Sequence, residues 1–181
     1  MPIRNLAVFC ASAHGALPLY REAAESLGRA LAAHDIGLIY GGANVGLMQA
    51  LADATLAAGG RVTGVIPHVL MDKEVAHQGL TELHVVDTMH TRKALMSEKA
   101  DGFLILPGGF GTLEEMFEVL AWQTLGLHNK PVVLLNLGGF YDALLAFLDH
   151  VVEQGMLKQS NRDVLLTALT LEEALTKLAL R

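Results

Sequence analysis

The sequence FLILPGGFGTLEEMFE, residues 103–118, contains the pattern that decides the fold. An apolar run at 103–106 ends in a glycine-rich turn at 107–112, and a helical pattern begins at Leu113. A strand, a glycine-rich turn and a helix in this order bring backbone N–H groups and the positive end of a helix dipole to one spot. Such a spot suits a phosphate, because glycine lets the backbone approach the anion closely. Thr112 is expected to cap the helix and to offer a hydroxyl.

The two carboxylates that follow, Glu114 and Glu115, are predicted to differ in role. At about 100° per residue, one face of the helix is expected to lie on the sheet, and it contains Leu113, Met116, Phe117, Leu120 and Thr124. Glu114 shares a narrow polar stripe with Glu118, which predicts that both are solvated. Glu115 lies on a third side with Val119 and Trp122, and we expect another subunit to cover that side. A carboxylate beside a bound phosphate would repel it without a further role, so we favour Glu115 as functional and Glu114 as a surface residue.

The composition limits the class of protein. The chain has 181 residues, is 52% hydrophobic, and has a mean hydropathy of +0.39 and a net charge of −6. No apolar run reaches the roughly 18 residues of a membrane span, so a sheet buried on both faces and an oligomer interface explain the apolar excess better. The acidic balance and the lack of a basic stripe argue against nucleic acid as a partner. The single cysteine, Cys10, and the absence of a signal-peptide pattern predict a cytoplasmic protein.

Strand patterns alternate with helical patterns along the whole chain. Strands are predicted at 6–10, 37–40, 61–66, 82–86, 103–106, 131–135 and 164–167. Helices are predicted at 18–33, 47–58, 89–100, 113–125, 141–154 and 171–180, with a loop or short helix at 68–79. This alternation predicts an α/β fold, a Rossmann-like doubly wound parallel sheet in a single domain spanning 1–181. Three glycine-containing turns, at 11–15, 41–46 and 107–112, should meet at the carboxyl edge of that sheet, where ligands bind.

Neither the dinucleotide fingerprint nor the P-loop motif is present, so a mononucleotide or a sugar phosphate is the favoured ligand. Arg92 and Lys93 are the one adjacent basic pair, and two cations near a helix start suggest a compensating anion, either a ligand or Glu115. The eight histidines are scattered without metal-site spacing, so no metal is predicted. Ser12 and Ser97 lack a nucleophile-elbow context.

Three motifs together resemble one known family: YGGANVGLMQA at 40–50, MHTRKALM at 89–96 and PGGFGTLEE at 107–115. They are similar to the LOG ("Lonely guy") family of cytokinin riboside 5′-monophosphate phosphoribohydrolases, many bacterial members of which bear the label lysine decarboxylase. The resemblance covers roughly residues 5–155. It implies a Rossmann-like fold, a homodimer, no cofactor, and hydrolysis of the N-glycosidic bond of AMP or N6-substituted adenosine 5′-monophosphates to the free base and ribose 5-phosphate.

The resemblance also assigns site residues. Glu115 and Arg92 match the family's proposed catalytic residues. The substrate-binding residues that it implies are Ser12, Gly42, Glu74, Met89, Lys93, Gly108, Gly109, Gly111 and Thr112. The chain departs from the common family pattern at Ala11, Ala13, Ala43, Gln49, Thr91 and Ala121.

Glycosidic cleavage develops positive charge on the ribose ring, which a carboxylate such as Glu115 would stabilise while orienting water. The guanidinium of Arg92 hardly deprotonates, so we interpret Arg92 as an electrostatic and orienting residue. The lysine decarboxylase label has no support in the residues, since a pyridoxal enzyme needs a Schiff-base lysine and a partner for the pyridinium nitrogen. A nucleotide-binding sensor or carrier without turnover is the alternative, and phosphoryl transfer with Mg²⁺ is a third possibility.

Overall fold

One seven-stranded parallel sheet organises the protein. The computed structural model describes residues 3–74 and 76–178, and of residues 72–74 it describes the backbone alone. The strands are β1 (Asn5–Phe9), β2 (Gly37–Tyr40), β3 (Val62–Pro67), β4 (Glu82–Val86), β5 (Gly102–Ile105), β6 (Val132–Leu135) and β7 (Leu165–Ala168). The helices are α1 (Pro18–Ala33), α2 (Gly46–Ala57), α3 (His68–Glu74), α4 (Met89–Lys99), α5 (Phe110–Thr124), α6 (Asp142–Glu153), α7 (Gln159–Arg162) and α8 (Leu171–Lys177).

The strand order is β4-β3-β2-β1-β5-β6-β7, and every pair is parallel. The chain builds outward from β1 to β4, then returns to place β5 on the other side of β1. Leu6 is in register with Gly102, and Phe9 with Ile105. The order therefore reverses between β1 and β5, where a doubly wound sheet opens a crevice at its carboxyl edge. The predicted fold class is confirmed.

Two hydrophobic cores cover the two faces of the sheet. One contains Leu27 and Leu31 of α1, Leu51 of α2 and Ala174 of α8. The other contains Met96 of α4, with Met116 and Val119 of α5 and Leu148 of α6. Burial on both faces explains why the strands are continuous apolar runs, and it accounts for much of the apolar excess. No helix among the described residues is long and apolar enough to cross a membrane.

Helix α5 differs from its prediction at its start. It begins at Phe110 and Gly109 is its N-cap, so the expectation that Thr112 caps the helix was wrong. Thr112 is instead buried in the first turn. The glycine turn is shorter than the sequence pattern suggested, because Phe110 and Gly111 adopt helical geometry themselves.

The buried face of α5 also differs. Its buried residues are Thr112, Glu115, Met116 and Val119, which follow the i, i+3, i+4, i+7 spacing. Val119 packs in the protomer's own core, so the expectation that another subunit covers it was wrong, and Trp122 is partly buried against the same core. Phe117, predicted to lie on the sheet, is 40% exposed, and Thr124 is exposed. Helical periodicity predicts which residues of α5 share a face. It does not predict which face lies on the sheet, because the face with Phe117 and the face with Val119 are both apolar.

The remaining elements lie within a few residues of their predictions. The segment predicted as a loop or short helix contains α3. The last helix ends at Lys177 where the prediction reached residue 180, and residues 179–181 lie outside the described part of the chain.

Candidate active site

A cleft of about 280 Å³ opens at the carboxyl edge between β1 and β5. The turn after β1, helices α2 and α4 and the start of α5 form its walls. The lining residues are Cys10, Ala11, Ser12, Ala13, Met48, Arg92, Gly109, Phe110, Gly111, Thr112 and Glu115. The predicted convergence of glycine turns at this edge is thus confirmed for the turns after β1 and β5, and the sequence pattern anticipated the place of the cleft.

Arg92 and Glu115 form an ion pair in the floor of the cleft. Nη1 of Arg92 lies 3.3 Å from Oε1 of Glu115, and the two side chains are only 8% and 10% exposed. Residues 23 apart in sequence therefore meet because α4 and α5 pack on the same face of the sheet. A buried pair of opposite charges forgoes hydration, which in enzymes is common where the charges act on a ligand.

The guanidinium of Arg92 is fixed by the backbone as well. Its Nε donates to the carbonyl of Val65 at 3.0 Å, and its Nη2 donates to the carbonyl of Gly41 at 3.4 Å. A Cβ atom at residue 41 would overlap Nη2, so glycine is required there for the arginine to reach this position. Arg92 is thus held by two carbonyls and one carboxylate. Gly41 was not among the predicted site residues, although the Gly-Gly pair at the end of β2 could have pointed to it.

The N-terminus of α5 forms the other wall of the cleft. Gly109, Phe110, Gly111 and Thr112 line it, and a Cβ at either Gly109 or Gly111 would meet no atom of the described residues within 4 Å. In the described part of the chain, the amides of Gly111 and Thr112 donate to no protein acceptor. The 15-residue helix α5 points its positive end here. These features fit an anion such as phosphate.

Gly108 lies in the turn before α5 and outside the cleft lining. The hydroxyl of Tyr141 donates to the carbonyl of Leu106, two residues before Gly108, at 2.8 Å. A Cβ on residue 108 would overlap the side chain of Thr112. Gly108 therefore allows the tight turn that Tyr141 holds, while the lining of the cleft begins at Gly109.

The 41–46 turn is closed by the protein itself. The amide of Leu47, at the start of α2, donates to the carbonyls of Ala11 at 3.1 Å and Ala13 at 3.2 Å. Gly42, predicted to bind substrate, has φ +76° and lies below the cleft against Val65 and Ile66. The structure does not bring Gly42 to the cleft lining. Its left-handed backbone shapes the turn instead.

Lys93 also lies outside the cleft lining. Its ammonium contacts the carboxylate of Glu114 and lies 3.0 Å from Oε1 of Glu118. These two carboxylates were predicted to be solvated. Glu114 is 54% exposed, whereas Glu118 is only 22% exposed, so the prediction is right for the first and wrong for the second.

The other predicted substrate-binding residues are divided. Ser12 lines the cleft, whereas Met89 is partly exposed at the start of α4 and outside the lining. Glu74 belongs to α3, but its side chain lies outside the described part of the structure. Within the described residues, no three His, Cys, Asp or Glu side chains are grouped to hold a metal ion.

Sequence reasoning missed Cys10, Met48 and Phe110 as cleft residues. Cys10, the last residue of the strand predicted at 6–10, lies buried directly after β1. Burial and then the nearby charge of Glu115 raise the pKa of the Cys10 thiol far above its usual range. Cys10 is therefore a neutral wall of the cleft and not a thiolate nucleophile. Phe110 is 95% exposed at the mouth of the cleft.

The fold and the cleft define a Rossmann-like α/β protein in which a helix N-terminus and a buried Arg–Glu pair line a cleft at the topological switch point. A family model described as "Possible lysine decarboxylase" matches residues 48–178. The cytokinin riboside 5′-monophosphate phosphoribohydrolase of Rhodococcoides fascians is 49% identical over 173 residues, which are 95% of this chain and 87% of that protein. The enzyme of the same name from Arabidopsis thaliana is 43% identical over 175 residues, 97% of this chain and 81% of its own. The chain therefore belongs to the family of the cytokinin riboside 5′-monophosphate phosphoribohydrolases, the LOG family.

Solved structures resemble the chain in fold. The molybdenum cofactor carrier protein of Chlamydomonas reinhardtii has a TM-score of 0.72 and 20% identity, over 97% of this chain and 95% of its own. At this identity the similarity extends to the fold and no further.

Proposed function

We propose that this protein hydrolyses the N-glycosidic bond of AMP or of an N6-substituted (cytokinin) adenosine 5′-monophosphate, releasing the free base and ribose 5-phosphate. The observation that carries the proposal is the buried carboxylate of Glu115, paired with Arg92 and facing the same cleft as the N-terminus of α5. The relatives from Rhodococcoides fascians and Arabidopsis thaliana are named for the same reaction, which supports the proposal.

In this proposal the phosphate binds to the amides of residues 109–112, which fixes the ribose beside Glu115. Cleavage of the C1′–N9 bond leaves positive charge on the ribose ring, and the carboxylate of Glu115 stabilises that charge. Glu115 then orients a water molecule and accepts its proton while the water oxygen bonds to C1′. The purine takes up one proton from solvent as it leaves, and Glu115 then releases the proton of the attacking water to solvent, so atoms and charge balance.

Arg92 would act by charge and orientation. Its guanidinium stays protonated, and its bonds to Val65, Gly41 and Glu115 hold it in one place. It would hold Glu115 in place and offer a hydrogen bond to the nucleotide. Such preorganised charge costs no rearrangement during the reaction.

Lysine decarboxylation receives no support from the cleft. A pyridoxal enzyme holds its cofactor on a lysine as a Schiff base. None of the described residues that line the cleft is a lysine, and the nearby Lys93 is engaged by two carboxylates.

We also propose a homodimer in the cytoplasm, with residues 1–181 as one nucleotide-binding domain. Exposed Phe117, Phe147 and Met156 border an apolar groove of about 390 Å³ between α5 and α6, which supports a covered surface there. This surface replaces the interface predicted around Val119. The single buried thiol of Cys10 is consistent with a reducing compartment. Light scattering at micromolar concentration tests the dimer, and a monomeric mass would contradict it.

Product analysis tests the activity. The protein is incubated with AMP, with a prenylated adenosine monophosphate, and with adenosine as a matched substrate that lacks phosphate. Chromatography should detect free base and ribose 5-phosphate from the nucleotides, with kcat/KM about a hundredfold lower for adenosine. Tight nucleotide binding without release of base would favour a sensor or carrier instead. Loss of activity with EDTA would favour phosphoryl transfer.

A further inference from the structure

Two neighbouring cations on α4 each meet carboxylates on α5. Arg92 pairs with Glu115 inside the cleft, at 3.3 Å. The next residue, Lys93, contacts Glu114 and lies 3.0 Å from Glu118, on the side away from the cleft lining. The helix that carries the proposed catalytic carboxylate is thus joined to the helix that carries the arginine by two adjacent sets of ion pairs.

The burial of Lys93 shows that this contact is part of the packing. Its side chain is only 8% exposed. Burial by itself would lower the pKa of the lysine, but hydrogen bonds and charges from Glu114 and Glu118 outweigh it, so the pKa lies above its usual value. The ammonium therefore stays charged, and its two carboxylate partners, Glu114 and Glu118, lie outside the cleft lining. A buried cation with two carboxylate partners is costly to separate from them.

The spacing of the two glutamates makes the contact a constraint on α5. Glu114 and Glu118 are four residues apart, one helical turn, so a single ammonium holds two successive turns of the helix. Glu115 follows Glu114 directly, and the residues proposed to hold the phosphate, 109–112, form the preceding turn. A shift of α5 along or around its axis would move both groups relative to Arg92, which contacts Glu115 at the limit of hydrogen-bond distance.

We infer that Lys93 is a positioning residue, which clamps α5 to α4 through Glu114 and Glu118 and thereby sets the position of Glu115 relative to Arg92 and to the phosphate site. This assigns Lys93 a role different from the direct nucleotide contact that the sequence motif implied. The inference rests on the proposed hydrolysis for its kinetic consequences, while the clamp itself is measurable in the absence of turnover.

A double-mutant cycle separates the two roles. The variants are Lys93→Met, the pair Glu114→Gln with Glu118→Gln, and all three together. For a clamp, Lys93→Met lowers kcat by about 10- to 100-fold, as expected when a catalytic group is displaced by about 1 Å, and changes KM by less than about threefold. The same lysine substitution has a much smaller effect when both glutamates are already glutamine, because the partners are gone.

A direct contact between Lys93 and the nucleotide would give the opposite result. Lys93→Met would then raise KM for AMP, by the same factor in both backgrounds, and that outcome overturns the inference. Lys93→Arg keeps the charge and should restore kcat to within about fivefold of wild type. Lys99→Met is the matched control, because Lys99 lies on the same helix and pairs with Glu82 instead of α5; its kcat should stay within about twofold.

Thermal unfolding of the same set tests the clamp independently. The Tm change caused by Lys93→Met should shrink in the double-glutamine background, and additive Tm changes would overturn the inference. If Lys93→Met does not fold, Glu114→Gln alone, which removes one of two partners, should lower kcat several-fold with KM unchanged. If the wild-type protein releases no base while the Tm coupling is present, the proposed hydrolysis fails and the clamp stands.

Discussion

Two glycine-rich turns in this protein each connect a strand to the helix after it, and they differ in whether the amides at the start of that helix are hydrogen-bonded within the protein. In the 41–46 turn, the amide of Leu47, the second residue of α2, donates to the carbonyls of Ala11 and Ala13. In the 107–112 turn, the amides of Gly111 and Thr112 have no protein acceptor in the described part of the chain, and they face the cleft. Both turns look alike as sequence, but the first is hydrogen-bonded to the chain around it, whereas the second leaves amides at the cleft that suit an anion.

This difference shows what glycine contributes at the start of a helix. Glycine permits another group to approach the backbone closely, but the surrounding chain determines whether that group is protein backbone or a ligand. Around Gly46 the backbone of Ser12 and Ala13 fills the space, whereas no atom of the described residues lies within 4 Å of a Cβ placed on Gly111. The 41–46 turn still contributes to the cleft, because Gly41 leaves room for Arg92. The ion-pair partner of Arg92, Glu115, lies on α5, the helix that follows the 107–112 turn.

The largest expected effect is that of replacing Glu115, which lies on the helix after the 107–112 turn. Glu115→Gln should lower kcat by about 10²–10⁴-fold with the fold retained, because the carboxylate stabilises the charge on the ribose ring and activates water. Steady-state kinetics and circular dichroism measure both. Asp53→Asn is the matched change on α2, where Asp53 pairs with His77 outside the cleft; its kcat should stay within about threefold. Activity of Glu115→Gln near wild type would remove Glu115 from the mechanism.

Alanine at one glycine of each turn sharpens the contrast. Gly46→Ala should destabilise the protein by about 2–5 kcal/mol, since φ is +57° and the new Cβ would overlap the backbone at Ser12 and Ala13. Gly111→Ala should leave stability unchanged or raise it by up to about 0.5 kcal/mol, while KM for AMP rises about tenfold because the methyl group occupies the anion site. Urea unfolding and kinetics measure the two effects. Equal destabilisation by both changes would contradict the distinction.

A tyrosine hydroxyl beneath each turn offers a smaller test. Tyr141→Phe removes the hydroxyl that donates to the carbonyl of Leu106, and should cost about 1–3 kcal/mol because that buried carbonyl loses its partner. Tyr40, directly before the 41–46 turn, has a buried hydroxyl with no hydrogen-bond partner among the described residues. Tyr40→Phe should therefore change the unfolding free energy by less than about 0.5 kcal/mol. A larger loss for Tyr40→Phe would show that its hydroxyl is held by a group outside these contacts.

The smallest effect is on pH dependence. Burial raises the pKa of Cys10, and likewise the pKa values of Tyr40 and Tyr141. These groups stay protonated in the folded protein while the unfolded chain loses their protons, so stability is complete below the unfolded pKa values and falls as pH rises beyond them. Between pH 8 and pH 9.5 the loss should be about 1–2 kcal/mol, mostly from Cys10. Urea unfolding of Cys10→Ala should show most of this slope removed, and an unchanged slope would place its origin elsewhere.

Much of the fold was accessible from the sequence because its signals are local. Strands at 37–40 and 82–86 and the helix at 18–33 lie where apolar periodicity, Pro18 and the flanking glycines place them. The motifs also identified Arg92 and Glu115, and the structure brings these two together. Backbone geometry and side-chain period depend on near neighbours, so a single sequence carries that information.

Other features depend on residues far apart in the chain, and only the folded structure settled them. The bonds from Leu47 to Ala11 and Ala13 close one turn, and packing against the sheet buries Val119 and leaves Phe117 exposed. Lys93 lies with Glu114 and Glu118 instead of in the cleft because of how α4 meets α5. Local sequence determined which groups could bind an anion or carry a charge, whereas long-range packing decided which of them face the ligand, since a buried polar group takes whatever partner the topology brings to it.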